Sequence, residues 1–333
     1  MNRFSRFTPY TSKGLSLVEL MISIALVAII LAGVVKLYAD SHRSSLANEG
    51  VARTQEGIRY AIDHISRSAS RAGYMGCVDF FTDADSGGQN LEVLVTADAG
   101  VNGRFNFNNP VSGTDSGDDA VADTLTLRAA QSSTGLIVNG EMTSESDVIR
   151  VDATQLGNST IEAGDVLVIS DCNRASVFMA TSVGGGQIGH DTTAIDSQSN
   201  SRANFSYVFG REGRSIPTVY SAGDTAINYT IGDSTAGACA ADSPQFCALL
   251  ANGDELLQGV ENMQVLYGER NIAGAIQYRS ADAVIDWRSV VSLELTLTLN
   301  SVDRSFSTGA DAGVGGLIRK EVSQIIAIRN NNL

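Results

Sequence analysis

The feature that most constrains this chain is an apolar run near its beginning. Residues 20–35 contain no charged side chain, and within 15–38 only Glu19 and Lys36 are charged. A helix needs about 20 apolar residues to cross a bilayer. The run therefore predicts a membrane-spanning helix and divides the chain into a short leader and a long remainder.

The leader predicts on which side of the membrane the remainder lies. Residues 1–14 carry Arg3, Arg6 and Lys13 and no acidic residue. Positively charged flanks stay in the cytoplasm. We therefore expect the rest of the chain to be exported.

Glu19 is unusual because a carboxylate in an apolar helix is costly unless it has a partner. One helical turn separates it from Leu15. If the chain is cut after Gly14, the new amino group of Leu15 can neutralise Glu19 in the same chain or in a neighbouring one. The spacing therefore predicts Gly14 and Leu15 as processing residues and Glu19 as an assembly residue.

The stretch Gly14-Leu15-Ser16-Leu17-Val18-Glu19 resembles the class III prepilin motif. In that family a membrane-bound prepilin peptidase cuts after the glycine and methylates the new N-terminus, and a glutamate follows at the fifth position. The usual first mature residue is phenylalanine or methionine, so Leu15 departs from the family pattern. Two alternatives remain open: a signal peptide removed after the apolar run, and a membrane anchor without a pilin role.

The charge balance excludes some classes of partner. The chain has 23 basic and 37 acidic residues and a net charge of −14, and loss of the leader removes three of the bases. Binding to phosphate groups needs clustered Lys and Arg. We therefore expect no nucleic-acid partner and no anionic-lipid surface, but an acidic head in an aqueous compartment.

Four cysteines follow the anchor, at Cys77, Cys172, Cys239 and Cys247. An even number in an exported chain predicts two disulfides. We favour Cys77 with Cys172 and Cys239 with Cys247, because the second pair closes a short loop through Pro244. Four reduced thiols are the alternative. The chain has no CxxC motif and only three scattered histidines, so we expect no zinc site.

The helical pattern continues beyond the anchor with an amphipathic character. Apolar residues from Leu46 to Ala69 recur at steps of three, four and seven, with charged residues on the other faces. No proline lies between Pro9 and Pro110, which predicts one helix from Leu15 to about Arg71. The predicted organisation is a leader at 1–14, a transmembrane and assembly half of the helix at 15–38, an amphipathic half at 39–73, and a β-rich head at 74–333.

Short β-rich runs separated by Gly, Asp, Ser and Asn follow the helix. Predicted strands occupy residues 123–129, 147–152, 165–170, 175–181, 260–267, 290–299 and 322–328. The alternation in 292–299 places its leucines on one face, where we expect them to cover the helix. The predicted fold class is α+β, a long N-terminal helix packed on an antiparallel β-sheet head with long loops at 82–90, 98–119 and 188–203.

Several motifs favour structural roles over chemical ones. The glycines of 184–189 satisfy G-x-G-x-x-G but precede no helix, so we interpret them as a turn. The acidic stretches 83–87 and 115–119 could offer ligands to calcium, but they lack an EF-hand pattern and fit solvated loops better. No nucleophile motif is present, so we expect no enzyme, cofactor or metal site. Six aromatic residues fit strand packing better than a partner surface: Phe105, Phe107, Phe205, Tyr207, Phe209 and Tyr229.

The head extends the resemblance. The blocks 164–172, 259–268, 287–293 and 328–330 resemble, in that order, those of the PilW minor-pilin family. The family implies a low-abundance subunit that joins other minor pilins and the major pilin, primes filament assembly and sits at or near the tip. The resemblance also implies that the subunit is in the inner membrane, with its head in the periplasm, before it enters the pilus.

Other functions remain open beside this one. A minor pseudopilin of a type II secretion system, of the GspJ type, shares the processing motif and the helix-on-sheet plan. The long loops could also form a tip module that binds a surface ligand, and a tip adhesin is a further candidate partner.

Overall fold

A single helix leads into the head. The computed structural model describes residues 16–78, 91–96, 103–130, 135–211, 215–222, 226–302 and 316–329. Helix α1 spans Leu17–Arg71 without interruption, as expected for a stretch without proline. It ends where Gly73 adopts a φ of +81°, a conformation that glycine tolerates best. The predicted long helix is confirmed.

The described part of the head consists of seventeen strands and one short α-helix, α2 (Ala153–Gly157). The strands are β1 (Leu91–Val93), β2 (Val111–Thr114), β3 (Thr124–Leu127), β4 (Leu136–Ile137), β5 (Ile149–Arg150), β6 (Val166–Ser170), β7 (Ala175–Met179), β8 (Ser182–Gly184), β9 (Gln187–Gly189), β10 (Thr218–Ser221), β11 (Ile227–Asp233), β12 (Cys247–Ala251), β13 (Asp254–Gln258), β14 (Val260–Arg270), β15 (Ile276–Arg279), β16 (Val290–Asn300) and β17 (Arg319–Ala327). Each predicted strand that falls on described residues has a counterpart here.

The strands form four sheets in two lobes. The basal lobe contains α1 from Gly50 onward and the sheets β13-β12-β11-β3-β2 and β15-β14-β16-β17. The inserted lobe comprises the described residues of 135–222 together with strand β1 from the earlier segment, and it contains the sheets β1-β7-β6-β10-β4 and β5-β9-β8. The pairing of β1 with β7 is parallel; the other named pairs are antiparallel. The predicted α+β class is confirmed.

The core of the basal lobe joins α1 to the sheet of β16. The buried face of α1 packs in one cluster with the inward leucines of that strand: Ile58, Ala61, Ile65 and Ala69 with Leu293, Leu295, Leu297 and Leu299. This is the predicted contact, and it is confirmed. Full burial of each large apolar side chain stabilises the fold by roughly 2 kcal/mol.

The inserted lobe has a core of its own. Strand β6 is buried at all five positions, so both faces of its sheet are covered. Leu167 and Ile169 face a cluster with Phe178 and Phe205 inside the lobe. Val166 and Val168 face the junction with the basal lobe, where Phe107 also lies.

The aromatic residues and the glycine-rich stretch behave as predicted. Phe105, Phe107, Phe205, Phe209 and Tyr229 are buried and Tyr207 packs against the same cores, which confirms packing roles. Strands β8 and β9 form a hairpin over the glycine-rich stretch. Gly185 and Gly186 occupy its turn with positive φ.

Two predicted loops are wrong in part: strand β9 reaches two residues into 188–203, and 98–119 contains a whole strand. The stretch 98–119 was expected to lack regular structure, but strand β2 lies within it and pairs with β3. Its sequence, Val-Ser-Gly-Thr, is short and centred on Gly113. That glycine is required because a Cβ there would lie 2.0 Å from the Tyr267 hydroxyl. The predicted loop 82–90 and the acidic stretch 83–87 lie outside the described residues.

Candidate assembly site

The first half of α1 presents an uncovered apolar surface. Large apolar side chains from Leu17 to Tyr38 are at least half exposed, with Val35 at 65%. In the described part of the chain, α1 is the one helix long and apolar enough to cross a membrane. Such a surface is unfavourable in water. It needs lipid or other apolar helices around it.

Glu19 lies in the first turn of this helix. The positive end of a helix dipole favours a carboxylate there. The N-cap residue Ser16 makes no capping hydrogen bond with its side chain. Gly14 and Leu15 lie outside the described residues, so the cleavage position and the pairing of Glu19 with an amino group stay predictions.

A polar spacer separates the apolar surface from the head. Gly50 is the first fully buried residue of α1. A Cβ at Gly50 would lie 3.3 Å from Ser301 Cβ, and one at Gly57 would lie 3.3 Å from Leu257 Cδ2, so both glycines serve close packing. Residues 39–49 form the spacer, which is on the order of 15 Å long at 1.5 Å per residue. The head therefore stands clear of the apolar run.

The exposed side of the polar half of α1 carries ion pairs one turn apart. Arg53 contacts Glu49 at 2.8 Å, and Arg67 contacts Asp63. In both pairs the acid precedes the base by four residues, the more favourable order. Because these side chains are more than half exposed, each pair contributes only a few tenths of a kcal/mol.

A groove of about 520 Å³ lies along the last turns of α1 beside Ile227. Next to it, the Tyr229 hydroxyl lies 3.0 Å from both His64 Nδ1 and Ser68 Oγ. Burial raises the pKa of Tyr229 to about 12. Burial, with Arg71 and Arg67 nearby, lowers the pKa of His64. Tyr229, His64 and Ser68 are therefore uncharged near neutral pH. Their hydrogen bonds hold β11 against α1, and none of the three is activated as a nucleophile. Sequence reasoning missed it because its members lie 165 residues apart.

The cysteines form two disulfides. Cys77 bonds to Cys172, with 4.5 Å between the Cα atoms. Cys239 bonds to Cys247, with 4.3 Å between the Cα atoms. This is the pairing that the sequence favoured. The first bond joins the segment after α1 to the inserted lobe, and the second closes a loop of the basal lobe.

The acidic stretch 115–119 binds its own backbone. Asp115 Oδ1 accepts from the amide of Gly117, and Asp118 Oδ1 accepts from that of Ala120. Within the described residues, no group of three or more His, Cys, Asp or Glu is placed to hold a metal. The stretch thus forms local turns that a solvated loop would also form.

The inserted lobe interrupts a pair of neighbouring strands. Leu127 of β3 and Ile227 of β11 are direct register partners, yet residues 128–226 separate them in sequence. The chain leaves the basal sheet at Arg128, directly after β3. This side chain is buried, and its guanidinium donates to the carbonyls of Gly103 and Asn109. No local signal in the sequence announces this insertion, since only the pairing of the two strands reveals it.

Two family models match this chain, one near its N-terminus and one in its C-terminal part. The family model for Type IV Pilus-assembly protein W, PilW, matches residues 228–330. The model for the prokaryotic N-terminal methylation motif matches residues 10–35. No curated protein and no solved structure matches the chain. The first match covers strands of the basal lobe, and the second covers the predicted cleavage site and the apolar run. The chain is therefore similar to the PilW family of type IV pilus assembly proteins over residues 228–330, and it carries a prepilin methylation motif within residues 10–35.

Proposed function

We propose that this chain is a minor pilin that primes pilus assembly and sits at or near the filament tip. Prepilin peptidase cuts between Gly14 and Leu15. Residues 15–38 then hold the subunit in the inner membrane with the head in the periplasm, until assembly moves it into the pilus. Its partners are other minor pilins and the major pilin, with a tip adhesin as a further candidate.

The observation that carries the tip position is the shape of the head. The inserted lobe begins where α1 ends, because the amide of Gly73 donates to the carbonyl of Arg128 at 2.8 Å. A subunit in the shaft has neighbours beyond its head as well as below it. A subunit at the tip lacks neighbours beyond its head, so a large lobe there is accommodated without a clash.

Glu19 supplies the register for assembly. In an apolar helix bundle an ionised carboxylate is costly unless a positive group neutralises it. The amino group of Leu15 in an adjacent subunit is such a group. Pairing of the two fixes the axial offset between neighbouring helices.

Two substitutions test the processing and assembly roles. Gly14→Ala should abolish leader removal, which mass spectrometry of the mature N-terminus measures. Glu19→Ala should leave membrane insertion intact and reduce the number of pili per cell. Glu56→Ala, an exposed acid on the same helix, is the control and should leave piliation unchanged. Normal piliation by Glu19→Ala would contradict the assembly role.

The tip position needs a separate measurement. An antibody against the head should label one end of sheared pili in electron micrographs, and cells that lack the chain should make fewer pili. Label spread evenly along the shaft would contradict the tip position while leaving the family assignment intact.

A further inference from the structure

We infer that the inserted lobe is a separable, outward-facing module that takes no part in contacts between subunits, and that α1 and the basal lobe carry assembly. This inference rests on the proposed pilin function. It assigns a role to a region that neither family match includes.

The basal lobe is continuous without the insertion. Strands β3 and β11 pair at three positions, from Leu125 with Tyr229 to Leu127 with Ile227. Directly opposed residues in an antiparallel pair have Cα atoms about 5 Å apart. A tight turn could therefore join Leu127 to Ile227, and the five-stranded basal sheet would keep its order.

The inserted lobe, together with the segment of β1, has a core to which α1 contributes no side chain. Its cluster around Phe178, Phe205 and Phe209 includes no residue of α1. A polar cluster adds to it, in which Glu92 accepts from Ser176 at 2.8 Å and pairs with Arg202. Burial opposes ionisation of Glu92, but these hydrogen bonds outweigh it and lower its pKa. The aromatic core of the lobe is therefore built without side chains of the helix that drives assembly.

The two lobes occupy opposite ends of the head. The α1 helix enters at Gly50, beside Ser301, and the chain leaves for the inserted lobe beside Gly73. These points lie on the order of 30 Å apart along the helix. At the entry end lies the disulfide loop of the basal lobe, where Asn300 donates to the carbonyl of Pro244 at 2.9 Å. Contacts made through α1 therefore bring basal surfaces together before they reach the inserted lobe.

The extents of the family matches agree with this division. Residues 10–35 and 228–330 match families defined by processing and pilus assembly. The second match begins one residue after Ile227, where the chain returns to the basal lobe. The two matches thus fall on the apolar half of α1 and on strands of the basal lobe, and neither includes the inserted lobe.

The net negative charge of the inserted lobe limits the kinds of surface that it can contact. Residues 135–222 contain ten acidic and five basic side chains. Such a surface repels polyanions, because binding to phosphate-rich polymers requires clustered bases. The module therefore fits an aqueous environment and uncharged or cationic surfaces.

Matched epitope insertions in the full-length chain test the inference. One epitope of about eight residues goes between Gly184 and Gly185, in the hairpin turn of the inserted lobe, since exposed turns tolerate insertions. Nothing lies within 4 Å of a Cβ at either glycine. The control epitope goes between Ala240 and Ala241, which are exposed in the disulfide loop of the basal lobe. Both proteins are checked for Trp287 fluorescence and for both disulfides before pili are counted.

We expect the lobe insertion to leave pilus number within about twofold of the untagged chain and the epitope to be accessible to antibody on intact pili. The basal insertion should lower pilus number by roughly tenfold or more, because tightly packed interfaces leave no room for an added loop. If the folded lobe-tagged protein loses pili as the basal one does, or its epitope is hidden on pili, the inference is overturned.

A second position protects the test against a local folding failure. The same epitope between Asp196 and Ser197, in another exposed turn of the lobe, should give the same result, and loss of pili by a folded protein at this position also overturns the inference. Failure of the proposed function has a different signature, which is normal piliation in cells that lack the chain altogether.

Discussion

The basal and inserted lobes differ in how they are built. The basal lobe uses α1 and two strands of eleven residues, β14 and β16, so its core forms only when the helix packs on the sheet. The inserted lobe uses strands of two to five residues around buried aromatic rings. Changes in the basal lobe affect the packing of α1, because the two share a core. Changes in the separate core of the inserted lobe leave the packing of α1 unchanged.

The largest expected effect on stability comes from shortening one buried side chain in the core of either lobe. Leu295→Ala should destabilise the basal lobe by about 2–5 kcal/mol, and Phe178→Ala should destabilise the inserted lobe by about 3–5 kcal/mol. The chain has one tryptophan, Trp287, which packs on Tyr267 in the basal lobe. Its fluorescence should report a lower unfolding temperature for Leu295→Ala and little change for Phe178→Ala. Equal shifts would show that the lobes unfold as one unit.

The second-largest effect is a difference in the stability that the two disulfides contribute. Cys77–Cys172 spans 95 residues and Cys239–Cys247 spans 8. In the chain-entropy account the longer loop gains about 2 kcal/mol more. Replacing both members of the long-range pair by serine should therefore lower denaturant resistance more than replacing the short-range pair. Urea unfolding of the two double variants measures the difference, and the reverse order would contradict it.

Removal of single hydroxyl groups should have a smaller effect. Tyr229→Phe loses the hydrogen bonds to His64 and Ser68 and should cost about 1 kcal/mol. Tyr207→Phe in the inserted lobe loses one long bond to Ser176, at 3.3 Å, and should cost less. Thermal unfolding of both variants compares them. A larger loss of stability for Tyr207→Phe than for Tyr229→Phe would contradict this prediction.

The smallest effect is the pH response of the inserted lobe. His190 is buried, its Nε2 lies 2.8 Å from the Asp147 carbonyl, and burial lowers its pKa. The unfolded chain therefore binds a proton more readily, near pH 6.5. The stability that this histidine contributes is present above that pH and is lost as pH falls below it. Protection factors for hydrogen exchange in β6 and β7 should therefore decrease as pH falls from 7.5 to 5.

Two substitutions isolate that response. His190→Phe should remove most of this decrease in protection, and His42→Phe, at an exposed site on the spacer of α1, should leave it unchanged. His64 in the basal lobe has a pKa lowered in the same direction, but it is more exposed and should contribute less. An equal decrease in protection in the unsubstituted protein and in His190→Phe would assign the response to other groups.

The sequence by itself determined the elements whose signals are local. The uninterrupted apolar and amphipathic patterns gave α1, and the alternation in 292–299 gave β16 and the face that covers the helix. The parity and spacing of the cysteines favoured the pairing that the structure has. Strand β2 escaped prediction because a four-residue stretch centred on Gly113 has little intrinsic preference for a strand.

Only the tertiary structure decided which distant segments meet. The pairing of Leu127 with Ile227, the contact of Tyr229 with His64 and the burial of Arg128 join parts of the chain that no periodicity connects. Periodicity reports which face of an element is apolar and not which partner covers it. The division of the head into a basal and an inserted lobe depends on that choice of partner, and so it appears only once the strands are paired.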